Sequence, residues 1–189
     1  MANLKVLDAD AATKYLAESG VGTDGDPYVP AVAINGRAIP IDVVVTMTTH
    51  ASYISNDFVG VDHTAMEFAA AARVTGGTGT ITSAVLIDYA LQSVAGELWL
   101  FDTAPAGLGH DSDAFTITDA DAARCIGVIP FNTYYASALN SVSNGSMPNG
   151  GLDFKALATS IFGCYVIRGT PAAGYASGDL TVRLFIRQD

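Results

Sequence analysis

Leu180-Thr-Val-Arg-Leu-Phe-Ile-Arg187 decides the fold. Leu180, Val182, Leu184 and Ile186 fall on one face, while Thr181, Arg183, Phe185 and Arg187 fall on the other. That period of two belongs to a half-buried antiparallel strand. Upstream, Ile41 to Thr49 is rich in β-branched residues, which suit a pleated surface. Further strands are expected at Ala51 to Val61, Thr64 to Val74, Thr80 to Leu91, Glu97 to Phe101, Ile126 to Phe131, Leu152 to Lys155 and Cys164 to Arg168. Gly76-Gly-Thr-Gly79 reads as a hairpin turn, and Ala95-Gly96 as a second break. Eight or nine short strands at this spacing predict an all-β, antiparallel β-sandwich, jelly-roll-like, over residues 41–189. Thr118-Asp-Ala-Asp121 is a capping-box pattern and predicts one helical turn.

Residues 1–40 read differently, as an extended N-terminal arm; a linker into a further domain is the competing reading. Asp8 to Gly20 has an acidic first turn and a Gly stop, the outline of a short helix. Gly22-Thr-Asp-Gly-Asp-Pro-Tyr-Val-Pro30 fixes a turn and then an extended segment, because the residue before a proline is pushed away from helix. Pro27, Pro30 and Pro40 each remove a ladder donor. An extended segment of this kind can add to a neighbour's sheet edge. Pro27, Tyr28, Val29, Pro30, Val32 and Ile34 are accordingly the expected partner-binding residues.

Half of the 189 residues are apolar, enough for one real core. Nineteen acids against three Lys and six Arg give a net charge of -10, so the surface repels phosphate backbones, and nucleic acid is not an expected partner. The start, Met-Ala-Asn-Leu-Lys, lacks an apolar leader, and no run approaches the length of a membrane span. Neither secretion nor a membrane partner is expected. Cys125 and Cys164 both sit in apolar runs and read as core thiols.

Chemistry-bearing patterns are sparse. His50, His63 and His110 show none of the spacings that put two rings on one face of an element, so no metal site is expected. Asp102, Asp111, Asp113, Asp119 and Asp121 depart from the spacing of a calcium loop, and no bidentate Glu follows. Glu18, Glu67 and Glu97 are not marked as a catalytic pair. Gly76 to Gly79 lacks the Lys and following helix of a phosphate loop. Trp99, Tyr134 and Tyr135 are candidates for a sugar-stacking platform, with Trp99 more simply a core residue. No catalytic residue, metal or cofactor is expected.

The order of several stretches along the chain resembles small virion proteins of tailed double-stranded DNA phages, of the capsid decoration or cement type. Those stretches are Gly22 to Pro30, Phe68-Ala-Ala-Ala-Ala-Arg-Val-Thr-Gly-Gly-Thr-Gly79, Leu98-Trp-Leu-Phe-Asp-Thr-Ala-Pro105, Phe115 to Ala123 with Ile126-Gly-Val-Ile129, and Ser177 to Val182 through Gln188-Asp189. The resemblance implies an all-β body, made in the host cytoplasm and carried on the capsid surface of the virion. It implies a homo-oligomer, expected as a trimer, that bridges neighbouring subunits of the major capsid protein. A receptor- or glycan-binding fibre or tail protein is the alternative, and an enzyme comes third.

Overall fold

The computed structural model describes residues 5–7, 13–15, 38–46, 52–148 and 150–189. The chain divides into two units, Met1–Asn35 and Gly36–Asp189. In the first, β1 (Lys5–Leu7) pairs antiparallel with β2 (Thr13–Tyr15). Residues 13–15 are thus strand, not part of a helix over Asp8 to Gly20. Thr13 and Tyr15 favour a pleated backbone, and a helix of that length has little stability without packing. Pro27, Tyr28, Val29, Pro30, Val32 and Ile34 lie outside the described residues.

The second unit carries β3 (Ile39–Val45), β4 (Phe58–Val59), β5 (Met66–Phe68), β6 (Thr78–Asp88), β7 (Gly96–Phe101), the single turn α1 (Asp119–Ala122), β8 (Cys125–Phe131), β9 (Tyr134–Ala136), β10 (Ser141–Asn144), β11 (Leu152–Lys155), β12 (Ile161–Ile167) and β13 (Leu180–Gln188). The larger sheet runs β3-β13-β6-β10-β9, with β11 also on β6; the smaller runs β4-β12-β7-β8, with β5 also on β12. Every pairing is antiparallel. Among its described residues this unit is therefore all-β apart from the single turn α1, with two antiparallel sheets.

The two sheets share one core. Ile81, Ala84 and Leu86 of β6 and Leu180, Val182, Leu184 and Ile186 of β13 meet Leu98, Leu100, Ile129, Phe131, Ile161 and Tyr165 of the smaller sheet. All four apolar positions on the inward face of β13 are fully buried, as the period of two predicts. At ~1.5–3 kcal/mol for each fully buried large side chain, this face alone outweighs any surface contact in the molecule. Among the described residues β3 pairs with β13 alone, and Pro40 sits there, where a missing ladder N–H is tolerated.

Three expectations are corrected. In Ala51 to Val61 the strand shrinks to Phe58–Val59; upstream, Asn56 lies at φ 84, and Asp57 Oδ2 accepts the Ile54 N–H at 2.7 Å, closing a turn. In Thr64 to Val74 only Met66–Phe68 is strand. Ala70 lies at φ 55, and the buried Ala71 and Ala72 pack as loop, their small size winning over any propensity. Gly76 to Gly79 is not a hairpin turn: β5 belongs to the smaller sheet and β6 to the larger, so Gly76 and Gly77 carry the chain between sheets while Gly79 lies within β6. Gly76 lies at φ 71, and the Gly77 N–H reaches the Val74 carbonyl at 2.9 Å.

The helical turn forms as its pattern predicts. Thr118 caps it, accepting the Asp121 N–H at 3.1 Å. Asp121 in turn accepts the Thr118 hydroxyl at 2.8 Å and the N–H groups of Ala106 and Gly107. The backbone donor at Ala106, foremost among these bonds, holds its carboxyl below the usual range.

Candidate interaction surface

Residues directly opposite one another in an antiparallel pair point to the same face, so register defines rows across the outer side of the larger sheet. One row is Tyr135, Val142, Ile87, Thr181, Val44, crossing five strands from β9 to β3. It is apolar apart from the Thr181 and Tyr135 hydroxyls, and its ends are open, Tyr135 being 66% and Val44 55% exposed. The next row sets Val85 beside Arg183 and Asp42. Arg183 clasps Asp42 with Nε to Oδ1 at 2.6 Å and Nη2 to Oδ2 at 2.7 Å, and that clasp pulls the Asp42 carboxyl below its ordinary value. A third row holds Ser83, Phe185 and Pro40.

Beyond a bulge between Phe185 and Ile186, the same face turns fully polar. Asp153, Thr80 and Arg187 form one row; Lys155, Thr78 and Asp189 form the next, with the Asp189 N–H on the Thr78 carbonyl at 3.3 Å. Thr80 donates to Asp153 at 2.7 Å and Thr78 to Asp189 at 2.8 Å. These residues line an open groove of about 560 Å³. Beneath it Gly79 is obligatory, since a Cβ there would lie 2.8 Å from the Phe154 ring and 2.9 Å from the Arg187 carbonyl. A smaller apolar groove of about 200 Å³ lies between the β3 edge and the loop through Val61, Thr64, Ala65 and Met66.

His63 and His110, 47 residues apart in sequence, come together with ring centroids 4.4 Å apart. His63, at φ 56, donates from Nδ1 to the Leu108 carbonyl at 2.6 Å. His110 Nδ1 lies 3.1 Å from Asp62 Oδ2, the two side chains 61% and 34% exposed, and hydrogen bonding to Asp62 raises the His110 pKa. The pair lies at the surface, where solvent screens it. His50 lies outside the described residues.

The remaining sequence candidates are spoken for by the fold. Asp102 pairs with Arg124 at 2.7 Å; Asp111 accepts the Tyr53 hydroxyl and the Gly60 N–H; Asp113 accepts the His110 N–H. Among the described residues no cluster of three or more His, Cys, Asp or Glu is arranged to hold a metal ion. Glu67 accepts from Ser160, and Glu97 takes Arg168 and the Trp99 indole N–H. Glu18 lies outside the described residues.

Trp99, half-buried, packs on Phe115 with centroids 5.3 Å apart. Tyr134 and Tyr135 point to opposite faces of β9, so the three aromatics form no common platform. Both cysteines are free. Cys164 is buried, and burial pushes its thiol up to about 12.

Sequence reasoning missed a buried tyrosine network. Asp88, fully buried, accepts the Ala90 N–H at 2.9 Å, the Ser93 N–H at 2.7 Å and the Tyr175 hydroxyl at 3.3 Å. Tyr165 hydrogen-bonds Tyr134, and Tyr134 donates to the Val94 carbonyl. Burial pushes Tyr134 up to about 12 and raises Tyr53, Tyr165 and Tyr175 further. The only advance signal was a Gly ahead of a strand, Gly96, whose missing side chain leaves room for the Tyr165 hydroxyl.

No protein-family model matches this sequence, and no curated protein does either.

Proposed function

We propose that the protein is a structural virion protein of a tailed double-stranded DNA phage, a decoration or cement protein. In this reading it binds the outside of the head and stabilises contacts between major capsid protein subunits. Its body is a jelly-roll sandwich, the residues ahead of β3 are an arm that lies along a neighbour, and it works by surface fit rather than by transforming a molecule. The resemblance of its ordered sequence stretches supplies the class. The carrying observation is the apolar row across the larger sheet, exposed at its ends Tyr135 and Val44 and ending on β3, which among the described residues pairs with β13 alone; exposed apolar surface marks interaction sites. Imaging purified particles at a resolution that traces the chain tests it: density on the head surface is expected, and absence from the particle overturns it. Deleting residues 1–35 is expected to lower capsid occupancy.

A receptor- or glycan-binding fibre or tail protein is the second reading, favoured by the exposed Tyr135 ring, since aromatic faces suit pyranose rings. Glycan-array binding that disappears in Tyr135→Ala would shift the reading to it.

A further inference from the structure

We propose that the outer face of the larger sheet docks on the same face of a second copy, about a twofold axis running along β6. The two polar rows are complementary under that axis. Read across the strands, one is acid, hydroxyl, base (Asp153, Thr80, Arg187) and the other base, hydroxyl, acid (Lys155, Thr78, Asp189). All four charged residues are exposed, and among the described residues no ion pair joins them.

A twofold axis along β6 reverses each row left to right while keeping its height along the strand. Asp153 then faces Arg187 of the second copy, and Lys155 faces Asp189; by symmetry each contact occurs twice. The same operation lays the apolar row on itself: Tyr135 over Val44, Val142 over Thr181, Ile87 on Ile87. One axis therefore matches both ends of the face, which neither pattern alone would require.

Charge also favours this face over the rest of the surface. The chain carries 9 − 19 = −10, so copies repel at long range. On the rows of this face three acids, Asp42, Asp153 and Asp189, balance three bases, Lys155, Arg183 and Arg187, so the face is neutral, 3 − 3 = 0. Its size suffices. The 11 residues of β6 span about 36 Å and four strand spacings about 19 Å, roughly 700 Å², near the ~800 Å² that each partner gives a standard interface. The contact is twofold, distinct from the threefold one of the expected trimer, and it does not depend on a shell.

Sedimentation velocity of the isolated protein up to about 1 mM tests it. A dimer is expected that weakens as salt rises from about 0.05 M to about 1 M, where screening acts within about 3 Å. Asp153→Arg sets like charges against each other twice and is expected to raise the dimer dissociation constant at least about tenfold. The double swap Asp153→Arg with Arg187→Asp restores opposition and is expected to recover the dimer. Asp153→Arg also removes the acceptor of the Thr80 hydroxyl, so both variants should keep the parent's far-ultraviolet dichroism while melting at most about 12 °C below it. Ser83→Cys, on the axis strand, is expected to cross-link to itself under oxidation, and Tyr135→Cys is not. A protein that stays monomeric, an odd-numbered assembly, or a dimer indifferent to both charge variants overturns the proposal. Particle imaging reads the capsid assignment separately, so either can fail alone.

Discussion

Substituting Gly96 by alanine tests how tightly the core is specified. The added Cβ would stand 2.1 Å from the Tyr165 hydroxyl oxygen, 2.4 Å from Cζ and 2.9 Å from Cε2. Contacts that short force something to move, and Tyr165, 1% exposed, is held by Val59 and Leu98 on either side. Overpacking of this kind costs about 1–3 kcal/mol. Displacing the ring also strains the hydroxyl contact with Tyr134, and a buried hydroxyl left without a partner costs about 1–3 kcal/mol. Because one ring movement serves both, the two costs overlap, and about 3 kcal/mol is the working value. For a chain of this size that lowers the melting temperature by roughly 6–12 °C.

Differential scanning calorimetry reads the shift. Adding Tyr165→Phe removes the nearest atom but leaves Cζ at 2.4 Å, so the double variant is expected to recover only part of the loss. A Gly96→Ala protein melting within about 1 °C of the parent would refute the packing argument, since no other feature of the site could absorb a methyl group there.

Asp88→Ala strands the Ala90 and Ser93 N–H groups and the Tyr175 hydroxyl; a loss of about 3 kcal/mol or more is expected, with faster amide exchange at residues 90 and 93. Ser143 is fully buried and its Oγ has no hydrogen-bond partner among the described residues, so Ser143→Ala should be neutral or stabilise by about 1 kcal/mol in denaturant titration. Because the His110 pKa is raised above its ordinary 6.5, the Asp62 contact stabilises below that value and fades as pH rises through the folded-state pKa. His110→Gln should therefore narrow the stability gap between about pH 5 and pH 9, and an unchanged pH profile would count against the pair. Tyr53, Tyr134, Tyr165 and Tyr175 are held neutral above their ordinary 10, so stability should drop on further alkalinisation. Their tyrosinate absorbance should appear together with loss of near-ultraviolet dichroism; smooth ionisation in an intact fold would contradict their burial.

Much of the body was legible where side chains alternate. β13 and β11 follow the pattern, and β6 and β8 fall within a few residues of their expected bounds, because burial on one face writes itself into every second residue. Reading failed where backbone conformation is set by side-chain hydrogen bonds or left-handed residues, as at Asn56, Asp57 and Ala70. β9 and β10 lay hidden in 132–151 because Ser141-Val-Ser-Asn144 has weak strand propensity and owes its place to β6. The outer face could not be seen at all: which residues share a row depends on register, and Asp153, Thr80 and Arg187 become neighbours only once three strands are paired. The approach of His63 to His110 has the same origin, two loops that no sequence spacing relates.

The strand paired with β3 lies far along the numbering: the Arg183–Asp42 clasp spans 141 positions. No local event can nucleate such a pairing, so loop-closure entropy is met before any stabilising contact forms. The larger sheet should therefore complete late and slowly, on the millisecond-to-second scale of non-local β topologies. Until it does, the edge of β6 that β13 will occupy stands open to foreign strands. Yield in refolding should accordingly fall with protein concentration more steeply than final stability would suggest.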